Sequence, residues 1–238
     1  MSERPLLETG ELGTFDDSGV LLYSLVADAG RKNLYYGGWS LGATAPYHFH
    51  TGLAVSDDGG KTYLRRSRGP LFGRDAHDPY MNGSPCILRE GALWRMWYVA
   101  GTGWETHGGA PTPRLRVQYA ESSDGVNWRR EGPVCVEPGQ GEIAVVRPCV
   151  LREGKGYRMF YSYRSDRYRI GYAESADGLR WTRKDAAAGI DVSPKGWDSE
   201  SVEYAFVFAH RDREYMLYNG NGYGKTGIGL ALHEEARA

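Results

Sequence analysis

One turn phrase is written three times in this chain. "SDDGGKTY" occupies Ser56 to Tyr63, "SSDGVNW" Ser122 to Trp128 and "SADGLRW" Ser175 to Trp181. A period of about 60 residues marks a chain assembled from like supersecondary units. Aligning the phrases brings the segments before them into register. "SPCILREGALWRMWYVAG" (Ser84 to Gly101) and "RVQYAES" (Arg116 to Ser122) match "RPCVLREGKGYRMFYSYR" (Arg147 to Arg164) and "YRIGYAES" (Tyr168 to Ser175). "YAFVFAHRDREYMLYNGNG" (Tyr204 to Gly222) with "GIGLALHE" (Gly227 to Glu234) supplies a further copy. "LLYSLVADAGRKNLYYGGWS" (Leu21 to Ser40) with "HTGLAVSDDGG" (His50 to Gly60) supplies another. Each copy reads as a strand, a Gly-containing hairpin, a second strand, a loop and a third strand, and most add an Asp-Gly turn and a short fourth strand.

A four-stranded antiparallel sheet cannot bury both faces alone, whereas wedges packed around an axis can. The expectation is an all-β fold: a β-propeller built from four repeats of four-stranded antiparallel blades, with residues 1–238 as one domain and a five-bladed ring as the alternative. The last copy lacks its outer strand. "RPLLETG" at Arg4 to Gly10 resembles the fourth strand "GPVCVE" at Gly132 to Glu137, so the N-terminus is expected to close the last blade. The 33 Gly, 17 Tyr and 7 Trp fit many tight turns joined by short aromatic strands. The Asp-Gly phrase resembles the Asp-box of sialidases, which makes Asp58, Asp124 and Asp177 turn formers.

With 29 basic and 30 acidic residues, the chain has no general attraction for phosphate backbones or anionic membranes, and nucleic acid is not expected as a partner. No apolar run approaches the roughly 18 to 20 residues of a membrane span, and "MSERPLLETGELG" lacks the basic start and apolar middle of a leader. A cytoplasmic protein is expected. Cys86, Cys135 and Cys149 have neither disulfide-framework nor zinc-type spacing, and no cofactor or metal is expected.

In a propeller the innermost strand of each blade lines the axis, and the loops leading into it crowd one mouth of the channel. With Val146 as reference, the equivalent positions are Gly83, Glu203 and Leu21. Five residues earlier stand Asp78, Asp198 and Asp16, with Gly141 followed by Glu142 in the third copy. Acidic residues therefore recur at one point of the repeat: Asp16, Asp17, Asp78, Glu142, Glu200 and Glu203 are the candidate catalytic carboxylates. Neighbouring carboxylates raise one another's pKa, which suits general acid and base work. The plainer alternative is that Asp16, Asp78 and Asp198 bond to loop amides. Candidate substrate-binding residues lie in the same loops: Trp39, His48, His50, His77, Asn82, Trp104, Arg147, Arg164, Arg169, Trp197, Asp198, Asn221 and Tyr223. His-x-His at His48 and His50 puts both imidazoles on one strand face; with His77 they suit hydrogen bonding to a ligand better than a metal. The arginines either clamp an anion or neutralise the acids.

With "HDPYMNGSPCIL", "RMWYVAGTGWE", "YRIGYAESADGLRW", "GWDSESVEYAFVF" and "YMLYNGNGYGKTGIGLA" in view, nearly the whole chain resembles bacterial glycosyl hydrolase-like β-propeller proteins, and remotely the propellers of glycoside hydrolase families 43 and 32. The resemblance implies a carbohydrate-type ligand and three carboxylates acting as base or nucleophile, pKa modulator and proton donor. On it, Glu203 or Glu142 is expected as the acid and Asp17 or Asp78 as the base, roughly 6.5 to 9.5 Å apart if the enzyme inverts. An isomerase, cyclase or lyase acting on a small biosynthetic intermediate, and a non-catalytic sugar-binding propeller, are the competing readings.

Overall fold

The computed structural model describes residues 5–233, which are nearly all β. The chain divides into two compact units, Met1–Val134 and Cys135–Ala238.

In the first unit, β1 (Gly19–Asp28), β2 (Arg31–Leu41), β3 (Tyr47–Ser56) and β4 (Leu64–Arg65) pair antiparallel in chain order. A second antiparallel set follows: β5 (Asn82–Glu90), β6 (Leu93–His107) and β7 (Ala110–Ser122). The β6–β7 hairpin is long and carries Trp104 on its extension. β8 (Val134–Val136) stands at the unit boundary. In the second unit, β9 (Ala144–Glu153), β10 (Gly156–Arg164), β11 (Tyr168–Ser175) and β12 (Thr182–Arg183) form one antiparallel set. β13 (Glu203–His210), β14 (Arg213–Asn219) and β15 (Ile228–Leu232) form another. Among the described residues, no helix is long and apolar enough to cross a membrane.

Alternating aromatic and branched residues make the cores. Tyr35, Leu53, Ile87, Trp94, Met96 and Tyr98 bury together in the first unit; Phe160, Ile170, Val202, Val207 and Met216 do so in the second. The three cysteines are free thiols.

The repeated Asp-Gly phrase closes the loop after the third strand in three sets. Asp58 accepts from the Lys61 and Thr62 amides and from the Ser56 hydroxyl. Asp124 accepts from the Val126 and Asn127 amides, and Asp177 from those of Leu179 and Arg180. These bonds favour the ionised form and hold all three carboxyls below their ordinary range, the Thr62 hydroxyl leading at Asp58, the Asn127 amide at Asp124 and the Arg180 amide at Asp177.

The expected N-terminal closing strand does not form. Arg4 lies outside the described residues, and residues 5–10 carry no strand. Leu7 is buried instead against Leu34, Tyr36, Ala54 and Tyr63 of the first set. Arg65 donates to the Glu8 carbonyl, and the Gly10 amide donates to the Asp16 carbonyl at 3.0 Å. An apolar cluster next to the segment captured its leucine, and Pro5 has no N–H to give a ladder. Among the described residues, the β13–β15 sheet has three strands.

One irregularity recurs in every set at the same place. Leu22 and Tyr23 stand opposite Tyr36, Ser84 and Pro85 opposite Tyr98, Arg147 and Pro148 opposite Tyr161, and Tyr204 and Ala205 opposite Tyr218. Each is a β-bulge, a device that bends a strand and re-aims its side chains. Three of them hold a non-glycine residue at positive φ: Ser84 at 48°, Arg147 at 55° and Tyr204 at 61°.

Candidate functional site

The tyrosine opposite each bulge holds a carboxylate. Tyr36 donates to Asp16 at 3.1 Å, Tyr98 to Asp78 at 3.2 Å and Tyr218 to Asp198 at 3.1 Å, each tyrosine twenty residues after its aspartate. The third set has Gly141 at that position. There Tyr161 donates to Asp185, and Arg183 forks between Asp185 at 2.7 Å and Glu142 at 2.8 Å. Arginines complete two more ties: Arg65 to Asp16 at 2.7 Å and Arg130 to Asp78 at 2.6 Å, the Arg130 guanidinium lying over the Phe72 ring. Asp16, Asp78 and Asp198 are all buried. Burial pushes the Asp78 carboxyl up while Arg130 and Tyr98 oppose the shift. The backbone makes room for these ties, since a Cβ on Gly38 would collide with the Asp16 side chain.

Asp17 is a different case. Its carboxylate accepts from the Ser18 hydroxyl and the Gly13 amide, which lower its pKa. Glu200 is exposed and pairs with Arg167 at 3.2 Å. Its carbonyl accepts from Arg169, which also pairs with Asp191 at 3.3 Å. Its amide, with that of Ser201, donates to the Asn221 side-chain oxygen. Trp197 stacks on Tyr218 with ring centres 5.6 Å apart, and a Cβ on Gly220 would meet its indole.

Glu203 stands apart from all of these. It opens β13, beside the bulge, where the other sets carry Leu21, Gly83 and Val146. Its side chain is 1% exposed. Oε1 accepts from the Tyr223 amide at 2.9 Å, and Oε2 is buried without a hydrogen-bond partner. Burial raises its pKa to about 7, against the Tyr223 amide, the Ser201 hydroxyl and the Arg164 charge, all of which favour ionisation. The carboxyl is therefore poised between its two forms at neutral pH.

Three tyrosines and two arginines cluster in the second unit, and of these Tyr223 and Arg164 act on Glu203. Tyr168 lies 5.6 Å from Tyr204 and 5.9 Å from Tyr223, and Tyr204 lies 6.1 Å from Tyr223, centre to centre. The Arg164 guanidinium sits 5.4 Å from the Tyr168 ring centre and that of Arg147 5.4 Å from the Tyr204 ring centre. Tyr223 occupies a tight turn at Asn221–Gly224 with φ 63°, and its ring is exposed. The Ser162 hydroxyl accepts the Tyr204 amide at 2.7 Å and fixes the bulge.

In the first unit, Trp39 lies 4.7 Å from Tyr47, and Tyr47 lies 5.5 Å from Trp104, edge to face. His50 is buried and hydrogen-bonds with Asn82; desolvation lowers its pKa to about 4, keeping the ring neutral. Asn82 also accepts from the Thr51 amide and donates to the Gly73 carbonyl. The Nδ1 atoms of His48 and His50 are buried and unpartnered. His77 is exposed, 3.8 Å from Glu131. Among the described residues, no three His, Cys, Asp or Glu side chains form a metal-ligating group.

Of the residues singled out in the sequence, Glu203, Arg147, Arg164, Asn221 and Tyr223 lie in this part of the second unit, with Tyr168, Tyr204 and Ser162, which the sequence had not singled out. A usable signal was Tyr204, which directly follows the reference column; Tyr168 looked like any strand aromatic.

No family model matches the chain. Over 231 residues it is 41% identical to two Mycobacterium tuberculosis proteins, uncharacterized protein MT1551 and uncharacterized protein Rv1502, covering 97% of this chain and 76% of each relative. The chain belongs to their family. Solved structures extend the likeness at the level of fold. A glycoside hydrolase matches with TM-score 0.74 at 20% identity, covering 96% of this chain and 73% of that one. A thermostable family-43 glycoside hydrolase matches with TM-score 0.67 at 16% identity, covering 89% and 70%. A Bombyx mori GH32 β-fructofuranosidase in complex with sucrose matches with TM-score 0.65 at 14% identity, covering 89% and 47%. These neighbours are propeller-type glycoside hydrolases, and the resemblance read from the sequence holds: this member of the mycobacterial family shares their fold.

Proposed function

We propose that this protein is a carbohydrate-active enzyme of glycosidase type in which Glu203 is the general acid that protonates the departing oxygen. One observation carries the reading: a buried carboxyl with an unpartnered oxygen occupies the position beside the bulge where the other three sets place Leu21, Gly83 and Val146. A structural carboxylate has its lone pairs met, as Asp16 and Asp78 do. An acid catalyst needs a pKa near the working pH and an oxygen not already committed to a partner. Tyr223, exposed and packed beside Tyr168 and Tyr204, offers an aromatic face on which a sugar ring can pack. Glu200, on the same loop and exposed, is the candidate for the ionised partner. Asp16, Asp78 and Glu142 serve as braces in this reading, and Asp17 is not needed. We also read the four strand sets as four propeller blades.

The commitment of Asp16 and Asp78 to tyrosine and arginine favours a second reading, in which Glu203 works without an activated water, as in an isomerase, cyclase or lyase. Both are tested by substituting Glu203→Gln and Glu142→Gln and assaying a broad panel of aryl glycosides and oligosaccharides. Loss of turnover in Glu203→Gln alone supports the glycosidase reading. Hydrolysis untouched by Glu203→Gln removes it.

A further inference from the structure

Several arginines in the second unit have carboxylate partners. Arg158 meets Glu214, Arg183 meets Glu142 and Asp185, Arg167 meets Glu200, and Arg169 meets Asp191. Arg164, the last residue of β10, is different. Among the described residues no carboxylate lies within ion-pair distance of it; Nη1 has the Tyr223 hydroxyl at 3.5 Å, and Nε is buried with no partner.

The backbone of Arg164 is fixed: its carbonyl accepts the Ile143 amide at 2.8 Å, and it pairs in register with Ala144 and Tyr168. Its guanidinium is stacked on the Tyr168 face. That position leaves Nε, one of its in-plane donors, buried without an acceptor. A buried N–H donor without an acceptor is costly, and the acceptors that match a guanidinium edge are two-oxygen anions bound side by side. The nearby Glu203, poised between its two forms at neutral pH, cancels the charge only in part. Arg147 adds a second guanidinium over the adjoining Tyr204 ring.

We propose that Arg164 anchors an oxyanion carried by the substrate itself, so that the compound on which Glu203 acts is an acidic glycoside bearing a carboxylate or phosphate ester. The proposal rests on the reading of Glu203 as the acid. It also couples the two groups: an anion at Arg164 offsets the positive charge that draws the proton from Glu203, so binding the substrate keeps the acid loaded.

Equilibrium binding tests this without requiring turnover. The probes are methyl glucuronide against methyl glucoside, glucose 6-phosphate against glucose, and inorganic phosphate alone, measured for the wild type, Glu203→Gln, Arg164→Gln and Arg164→Met, the last keeping the aliphatic stem over Tyr168. The wild type is expected to bind an acidic probe roughly ten-fold or more tightly than its neutral counterpart, the scale of one lost charge-assisted contact. Glu203→Gln keeps that preference, and whichever Arg164 variant retains the wild-type thermal melt loses it. Equal binding of charged and neutral probes, no binding of any probe, or a preference that survives at Arg164→Met overturns the proposal. Inorganic phosphate binding more tightly than every acidic sugar overturns it too, pointing to a free anion. Failure of the glycosidase reading shows separately, as glycoside turnover unchanged by Glu203→Gln alongside an intact acid preference.

Discussion

The amide of Tyr223 donates to Oε1 of Glu203 at 2.9 Å, and that bond is made by a residue at φ 63° on an exposed turn. The carboxyl is therefore oriented from the surface while its other oxygen stays buried and unpartnered. Glu203→Gln preserves the shape and still accepts from Tyr223, so the protein should fold normally. Its turnover of any glycoside the wild type accepts is expected to fall by about 10²- to 10⁴-fold, the usual contribution of general acid catalysis; steady-state kinetics of the pair check this.

Glu203 also gives stability a pH signature. Its folded pKa, about 7, lies above the ordinary 4.5, so between these values the native state binds more protons than the unfolded one. Its contribution is fully present below about pH 4.5 and is lost as pH rises through 7, on the order of 3 kcal/mol in all. Urea titrations of wild type and Glu203→Gln across this window should differ in slope, with the variant flatter.

Asp78 is predicted to matter for stability rather than for turnover. Removing it as Asp78→Ala leaves Arg130, 9% exposed, with only Asp75 and strands the Tyr98 hydroxyl. The expected cost is about 3 to 5 kcal/mol, against about 1 to 2 kcal/mol for Tyr98→Phe. Chemical denaturation measures the loss; kcat and KM at a temperature where the variant is folded should match the wild type.

Ser84 offers a test of bulge strain. It holds φ 48° without a glycine, a conformation that costs a side chain about 1 kcal/mol or more. Ser84→Gly is expected to raise the urea midpoint by a corresponding amount, with no change in ligand binding.

Much of the fold could be read from the chain because turn chemistry is local. Ser122-Ser123-Asp124-Gly125 can make few other shapes, and its recurrence fixed the period. The acidic column was equally visible, but its meaning was not, because the partner of Asp78 is Tyr98, and a strand tyrosine looks like core until its hydroxyl is placed. The bulges left no trace in composition, since Arg147 and Tyr204 reach positive φ through packing rather than through glycine. The N-terminal segment misled because a short apolar stretch serves a strand and a plug equally well; Leu7 packs with Leu34, Tyr36, Ala54 and Tyr63 instead.

The repeated kink has a consequence for how such a chain acquires new chemistry. Four sockets are built by the same backbone, and their tenants are Leu21, Gly83, Val146 and Glu203. The second is shut to any larger tenant, since a Cβ on Gly83 would strike the Phe49 ring, while the third already houses a branched side chain. On the proposed role of Glu203, reactivity can migrate or vanish by exchanging one residue at a socket, with the architecture left standing, and relatives of equal shape need not share a reaction.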